Sequence, residues 1–241
     1  KDANPNMACT AKHFPGDGVE ELDQHLALGV NNLPVEEWET SYGRIYRTLI
    51  DEGLEAVMVG HIALPEMSRK LRPGIKDSEI MPATLAPELL TGLLRESMDF
   101  NGVIITDASH MIGMTAMSKR CDAVPGAIIA GCDMFLFAND IEEDIGFMKA
   151  AYDKGLLTEE RLSDALHRVL GLKAHLKLYD EAIRCPEEKN LKVIGCEEHH
   201  AFTVQAADSC ITLVKDTRKY LPIDPEKQKR VFLVYVGSTP T

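Results

Sequence analysis

The 241 residues include 26 Lys and Arg against 38 Asp and Glu, a formal net charge of −12. Nucleic acids and anionic membrane surfaces recruit cationic protein surface, so neither is expected as the main partner. With 45% hydrophobic and 27% charged residues, the composition is that of one large folded domain or two modest ones. The apolar runs, such as GVIIT and MFLFA, are strand-sized and too short to span a membrane.

The chain opens KDANPNMACT, without an initiator Met and without a basic-then-apolar leader, which reads as a piece cut from a longer protein. From there, short β-branched runs alternate with longer segments of helical period, the pattern of repeated β/α units around a parallel sheet. The first strand covers Thr10 to Phe14 and ends in the turn PGDG. A helix follows with Trp38, Tyr42, Ile45, Tyr46, Leu49 and Ile50 on one face, stopped by Gly53. EAVMVG, residues 55–60, is the second strand. It leads through HIALPEM to a helix that starts near Pro87 and buries Leu89, Leu90, Leu93, Leu94 and Met98. GVIIT is the third strand, with Asp107 at its end, and DMFLF the fourth, followed by Asn139 and Asp140 as helix caps. Thr158 caps a long helix carrying Leu162, Leu166, Val169 and Leu170.

The reading that results is α/β, with residues 1–180 forming the second half of a (β/α)8 barrel, because a closed barrel takes about 250 residues and only four units are present. Residues 181–200 hold charge, Pro186 and Gly195 without strong periodicity and read as a linker. Residues 201–241 supply a short helix (Ala201 to Asp208) and strands at ITLV and VFLVYV, the start of a second α/β domain. Half a barrel leaves open sheet edges, so a second copy or the missing N-terminal half is expected to cover them. The six cysteines are spread apart without CxxC pairs, which points to reduced thiols and a cytoplasmic setting.

Barrels carry their chemistry at the carboxyl ends of strands. Four places there stand out: Lys12-His13 with the loop to His25, His61, Asp107, and Asn139-Asp140. Asp23-x-His25 sets a carboxylate beside an imidazole and can fix the ring's tautomer; taken alone, it is equally a turn cap beside a surface histidine. Asp107 alone is equally a strand-end cap. His61 is either a packed strand-end histidine or a substrate contact, and His110 is either near the site or solvent-exposed. Cys196, His199 and His200 have an outline of metal spacing but a single sulfur, and PGDG lacks the Lys-Ser/Thr of a phosphate loop. The aromatic face at Trp38, Tyr42 and Tyr46 reads most simply as core.

Together, KHFPGDG, DQH and GVIITDASHM resemble the β-N-acetylglucosaminidase branch of family 3 glycoside hydrolases, which shows a KHFPGHG-type loop, an Asp-x-His pair at this distance and a [ST]-Asp nucleophile at a later strand end. MVGHI, CDMFLF and SCITLVKDTRKYLPI are also similar to their counterparts, the last at the start of the family's C-terminal domain. The resemblance implies that Asp107 is the nucleophile, His25 the general acid/base and Asp23 its orienting partner, with Lys12 and His13 holding sugar hydroxyls; His61 is taken with them as a substrate-binding candidate. It implies a retaining exo-β-N-acetylglucosaminidase that cleaves terminal β-linked N-acetylglucosamine from peptidoglycan fragments or chitooligosaccharides through a covalent glycosyl-Asp intermediate. No metal or organic cofactor is implied. Alternatives are a phosphorylase, since a His acid/base does not repel incoming phosphate, a β-glucosidase of the same family, and a sugar-binding relative without turnover. Asp17 departs from the usual loop histidine and adds negative charge near the leaving-group side. The sugar-gripping Asp and Arg that the family carries on earlier strands are not on this chain.

Overall fold

The structure, a computed structural model, describes residues 7–181 and 187–230 together with 232, 234 and 236. The chain divides into two compact units, Lys1–Arg184 and Cys185–Thr241. In the first, β1 (Thr10–Phe14), β3 (Ala56–Val59), β5 (Val103–Ala108) and β6 (Met134–Leu136) form one sheet in that order, every pairing parallel. These are the four strands expected from the sequence. Two strands of two residues each, β2 (Gly29–Val30) and β4 (Ile62–Ala63), pair alongside as a separate parallel ladder; elements this short have no period to detect.

The β3–β5 register runs unbroken from Ala56↔Val103 to Val59↔Thr106. The other two pairings slip near the carboxyl ends: β1 against β3 between Ala11 and Phe14, and β5 against β6 between Ile105 and Ala108. Such irregularities re-aim side chains, and these two enclose His13 and Asp107.

The first helix is continuous through α1 (Val35–Trp38), a π-helical stretch (Glu39–Gly43) and α2 (Arg44–Asp51). Its buried contacts are Trp38 and Tyr46, with Tyr42 and Ile50 packed at the margin, whereas Ile45 is 54% exposed and Leu49 also reaches solvent. After α3 (Pro65–Leu71), a second π-helical segment (Glu88–Ser97) buries Leu89, Leu90, Leu93, Leu94 and Met98. α4 (Ile112–Thr115) and α5 (Arg120–Ala130) follow β5. Asp140 caps α6 (Ile141–Asp153) by accepting the Glu143 N–H at 2.9 Å, and Thr158 caps α7 (Glu159–His175) by accepting that of Arg161 at 3.1 Å. The apolar stripe on α7 is largely open: Leu166 is 50% exposed, Leu162 and Leu170 are exposed too, and Ala165 is the residue turned inward. An apolar stripe shows that a helix has a preferred face, and says nothing about what covers it.

At the amino ends of the strands the Asp133 carboxylate, 0% exposed, lies between arginines. Its Oδ2 accepts from Arg95 Nη2 at 2.5 Å and from the Ile104 N–H at 2.9 Å, and its Oδ1 from Arg161 Nη2 at 2.6 Å, with Arg168 Nη1 3.8 Å away. Burial brings the Arg95 guanidinium down to about 10 despite the Asp133 charge. Conserving charge balance here ties α7 and the Glu88–Ser97 helix to β5 and β6.

The second unit contains a 3-10 segment (Glu188–Val193) and a helix (Glu197–Cys210). That helix begins before Ala201, where it was expected, because Glu197 and Glu198 fit the positive end of its dipole. Residues 211–214, read as a strand, form none. The strand expected over 231–236 lies partly outside the described residues, as does Cys185. Cys9, Cys121, Cys132, Cys196 and Cys210 are free thiols. No helix among the described residues is long and apolar enough to cross a membrane.

Candidate active site

The site is built on the carboxyl end of β1. Phe14 closes the strand inside the core, edge-on to Trp38 and Tyr46 with ring centroids 6.3 and 5.1 Å apart. The loop beyond it is held by the polar tips of the same helix and by Asn31, just after β2. Trp38 Nε1 donates to the Pro15 carbonyl at 2.8 Å, Tyr42 Oη to the Asp17 carbonyl at 2.9 Å, and Asn31 Nδ2 to the Gly16 carbonyl at 3.1 Å. Gly16 has φ +130°, and a Cβ there would lie 2.3 Å from the Tyr42 ring, so the close approach requires glycine. The aromatic face read as core therefore has two jobs: its rings fill the interior and its donors fix the PGDG loop.

His13, on β1 just before this loop, faces Asp107. His13 Nε2 is 3.2 Å from Asp107 Oδ2, and His13 Nδ1 is 3.6 Å from Asp17 Oδ2. Asp107 stands at the end of β5 with its side chain 13% exposed, and its Oδ1 accepts the Ala108 N–H at 2.7 Å. Burial alone would push this carboxyl up. The hydrogen bond from His13, the Ala108 N–H and the neighbouring imidazoles outweigh it and bring the group to about 2. Asp107 is thus an ionised carboxylate, partly buried and reachable from the strand end.

Asp23 and His25 form the expected pair. Asp23 Oδ1 lies 2.6 Å from His25 Nδ1 and accepts the His25 backbone N–H at 2.9 Å. The backbone bond first, and the ring second, hold the Asp23 carboxyl below the usual range. An ionised carboxylate only accepts, so the Nδ1 proton of His25 points at Asp23. Both side chains are well exposed, His25 at 66%.

Between them sits a residue the sequence reading passed over. Gln24 is buried; its Oε1 accepts the His61 backbone N–H at 2.9 Å, its Nε2 donates to Asp17 Oδ2 at 3.3 Å, and its carbonyl accepts the Gly113 N–H at 3.1 Å. The Ile112 N–H reaches the His25 carbonyl at 3.4 Å. No spacing rule marks a glutamine whose partners come from three other segments.

His61, expected to touch sugar, is placed otherwise. It is 0% exposed, with Nε2 3.0 Å from the Ala108 carbonyl and Nδ1 2.8 Å from Thr84 Oγ1. Burial holds it below its usual value, although the Ala108 carbonyl and Asp107 pull the other way. The Ala108 carbonyl only accepts, so Nε2 carries a proton, and Nδ1 is taken up by the Thr84 hydroxyl, which also lies 3.1 Å from the Gly60 carbonyl; neither nitrogen is left for a ligand, and the ring braces the end of β5. Lys12 lies exposed on β1. His110 is exposed and stacked on Phe137 at 6.2 Å. Among the described residues no cluster of His, Cys, Asp and Glu could hold a metal, Cys196 with His199 and His200 included.

The chain is similar to known proteins. A beta-N-acetylglucosaminidase/beta-glucosidase of Cellulomonas fimi is 47% identical over 229 residues, covering 95% of this chain and 40% of that protein. Among solved structures, a beta-glucoside phosphorylase superposes with a TM-score of 0.80 at 44% identity, covering 91% of this chain and 40% of the other. A beta-N-acetylglucosaminidase from Paenibacillus sp. str. FPU-7 gives 0.65 at 29%, covering 73% and 32%. The chain therefore spans about two fifths of the length of the first two of these proteins and about a third of the third. Its parallel sheet and flanking helices are those of a TIM-type β/α fold, and residues 2–172 match the glycosyl hydrolase family 3 N terminal domain. With the strand-end Asp107, the Asp23–His25 pair and that match in agreement, the chain belongs to glycosyl hydrolase family 3.

Proposed function

We propose that this chain carries the nucleophile and the acid/base of a retaining exo-β-N-acetylglucosaminidase. The observation that carries the reading is Asp107: a carboxylate held ionised at about 2 by His13 and the Ala108 N–H, in the same unit as an imidazole whose Nδ1 is fixed by Asp23. In the first step Asp107 attacks the anomeric carbon while His25 Nε2 protonates the departing glycosidic oxygen. The C–O bond to the leaving group breaks as the bond to the Asp107 oxygen forms. In the second step neutral His25 removes a proton from water, whose oxygen displaces Asp107 and restores both groups. Lys12 is proposed to bind sugar hydroxyls, and His13 acts on the nucleophile. The substrate is a terminal β-linked N-acetylglucosamine, in keeping with the Cellulomonas fimi and Paenibacillus beta-N-acetylglucosaminidases, carried on peptidoglycan fragments or chitooligosaccharides.

A second reading, phosphorolysis, is favoured by the beta-glucoside phosphorylase among the similar structures. A neutral imidazole at the second step admits a phosphate dianion where a carboxylate would repel it. The test is release of 4-nitrophenol from its β-N-acetylglucosaminide and β-glucoside by the full-length protein, with products separated in the presence and absence of phosphate. Preference for the N-acetyl substrate, and a drop of at least about 10⁴-fold in Asp107→Ala, is expected. Free N-acetylglucosamine in phosphate buffer supports hydrolysis, whereas sugar 1-phosphate supports the second reading. Turnover retained by Asp107→Ala would overturn the role of the nucleophile.

A further inference from the structure

The acid/base pair has an unusual foundation. Asp23 and His25 face solvent, yet Gln24 between them is buried. Its amide is oriented by chemistry on both sides: the His61 N–H can only donate, so it meets Oε1, and the Asp17 carboxylate can only accept, so it meets Nε2. His61 is in turn bonded through its ring to the Ala108 carbonyl, the residue after Asp107. Asp17 is 3.6 Å from His13, the ring that pairs with Asp107. Both arms of the Gln24 amide thus end on groups that touch the nucleophile or its neighbour.

The geometry points to the Asp17–Gln24 pair as a positioning device that locks the acid/base loop to the segments after β1 and β3, and through His13 and His61 to the end of β5, so that Asp17, in place of the usual loop histidine, works as a required acceptor at that position. Gln24 and Asp17 are positioning residues and touch no reacting atom. The inference rests on the proposed roles of His25 and Asp107, and goes beyond them in assigning who sets the distance between the two. Backbone bonds from Gly113 and Ile112 to the carbonyls of Gln24 and His25 keep the loop near α4; the side-chain amide is what ties it to the two strand ends.

Acid assistance matters most for poor leaving groups, so displacement of His25 has a signature that general loosening lacks. In the full-length protein, Gln24→Leu, which keeps bulk and removes both bonds, is expected to lower kcat/KM about 100-fold for phenyl β-N-acetylglucosaminide, and far less for the 2,4-dinitrophenyl glycoside, whose phenol leaves unassisted. Asp17→Ala should show the same leaving-group dependence. Asp17→Asn, whose amide oxygen still accepts from Gln24, should restore most of the activity on the phenyl substrate. Asp17→Ala combined with Gln24→Leu should be no worse than Gln24→Leu alone. Equal losses on both substrates, or additive losses in the double variant, would overturn the proposal. Amide exchange over residues 20–28 provides a readout independent of turnover. Faster exchange in Gln24→Leu than in the parent supports the lock even if the parent cleaves no glycoside, and unchanged exchange refutes it even if the parent is a fully active glycosidase.

Discussion

Two ion pairs in this protein have the same N···O separation of 2.5 Å and opposite surroundings. Arg95–Asp133 is buried, its carboxylate 0% exposed, while Arg69–Glu66 on α3 is open to water, the two side chains 40% and 48% exposed. Coulomb's law at a fixed distance would value them alike; desolvation does not. Removing the Asp133 carboxylate leaves the Arg95 guanidinium partly buried without its counter-charge, takes one of two carboxylates from Arg161, which keeps Asp164, and takes the acceptor from the Ile104 N–H. Breaking a buried pair from one side costs about 3–5 kcal/mol. Deleting one partner of an exposed pair costs about 1 kcal/mol or less. For a unit of this size, 1 kcal/mol moves the melting temperature by about 2–4 °C, so Asp133→Ala should melt about 6–20 °C lower and Glu66→Ala within a few degrees of the parent. Thermal unfolding of the full-length protein followed by circular dichroism makes the comparison, with KM measured on each variant below its transition. Because Asp133 lies at the amino ends of the strands, KM should not move. Equal melting shifts for the two variants would refute the argument that burial, and not distance, sets the value of these pairs.

Asp107 titrates at about 2 because His13 donates to it and partly offsets burial. In His13→Ala burial is no longer opposed by that ring, so the carboxyl rises toward or above its ordinary 3.8. The sign follows: the nucleophile stays ionised at neutral pH but takes up a proton on mild acidification, and the acid limb of kcat/KM shifts to higher pH. An unmoved limb would mean that His13 does not control this carboxylate. Gly113 is close-packed: a Cβ there would lie 2.8 Å from His61 Cβ and 3.0 Å from the Gln24 carbonyl oxygen. Gly113→Ala should therefore destabilise by about 1–3 kcal/mol, read from denaturant midpoints, whereas Gly146→Ala, with open space around it, should be neutral or slightly stabilising because it lies inside α6.

The four strands of the sheet were readable because each is a short aliphatic run between turn residues, and Leu89, Leu90, Leu93 and Leu94 because a period of 3.6 forces them onto one side. The same period aligns Ile45, Leu49, Leu166 and Leu170, yet all four are exposed. A periodic stripe reports the helix's own geometry, and whether a neighbour covers it depends on distant chain. The ligands of Asp133 are 38 and 28 residues away in sequence, and the partners of Gln24 lie in the PGDG loop, after β3 and after β5. Only folding brings them together, so no local pattern announces them. Asp107, Asp23 and His25 could be singled out as candidates for the opposite reason, since strand-end position and an i, i+2 carboxylate–imidazole spacing are local, but only the resemblance gave them roles.

The contrast between the two proposed catalytic groups follows from what each must do. A nucleophile needs one protonation state throughout, and Asp107 has it: 13% exposed, fixed by His13 and the Ala108 N–H, and charged well below neutral pH. An acid/base must give up a proton in one step and regain it in the next, which requires exchange with water or substrate, and His25 is 66% exposed on a loop. Exposure alone would let that loop wander by more than the ångström that separates productive from unproductive proton transfer. Burying Gln24 between two exposed neighbours resolves the conflict, since the chain can then hold the backbone of the pair against the strand ends while leaving the imidazole itself in reach of solvent.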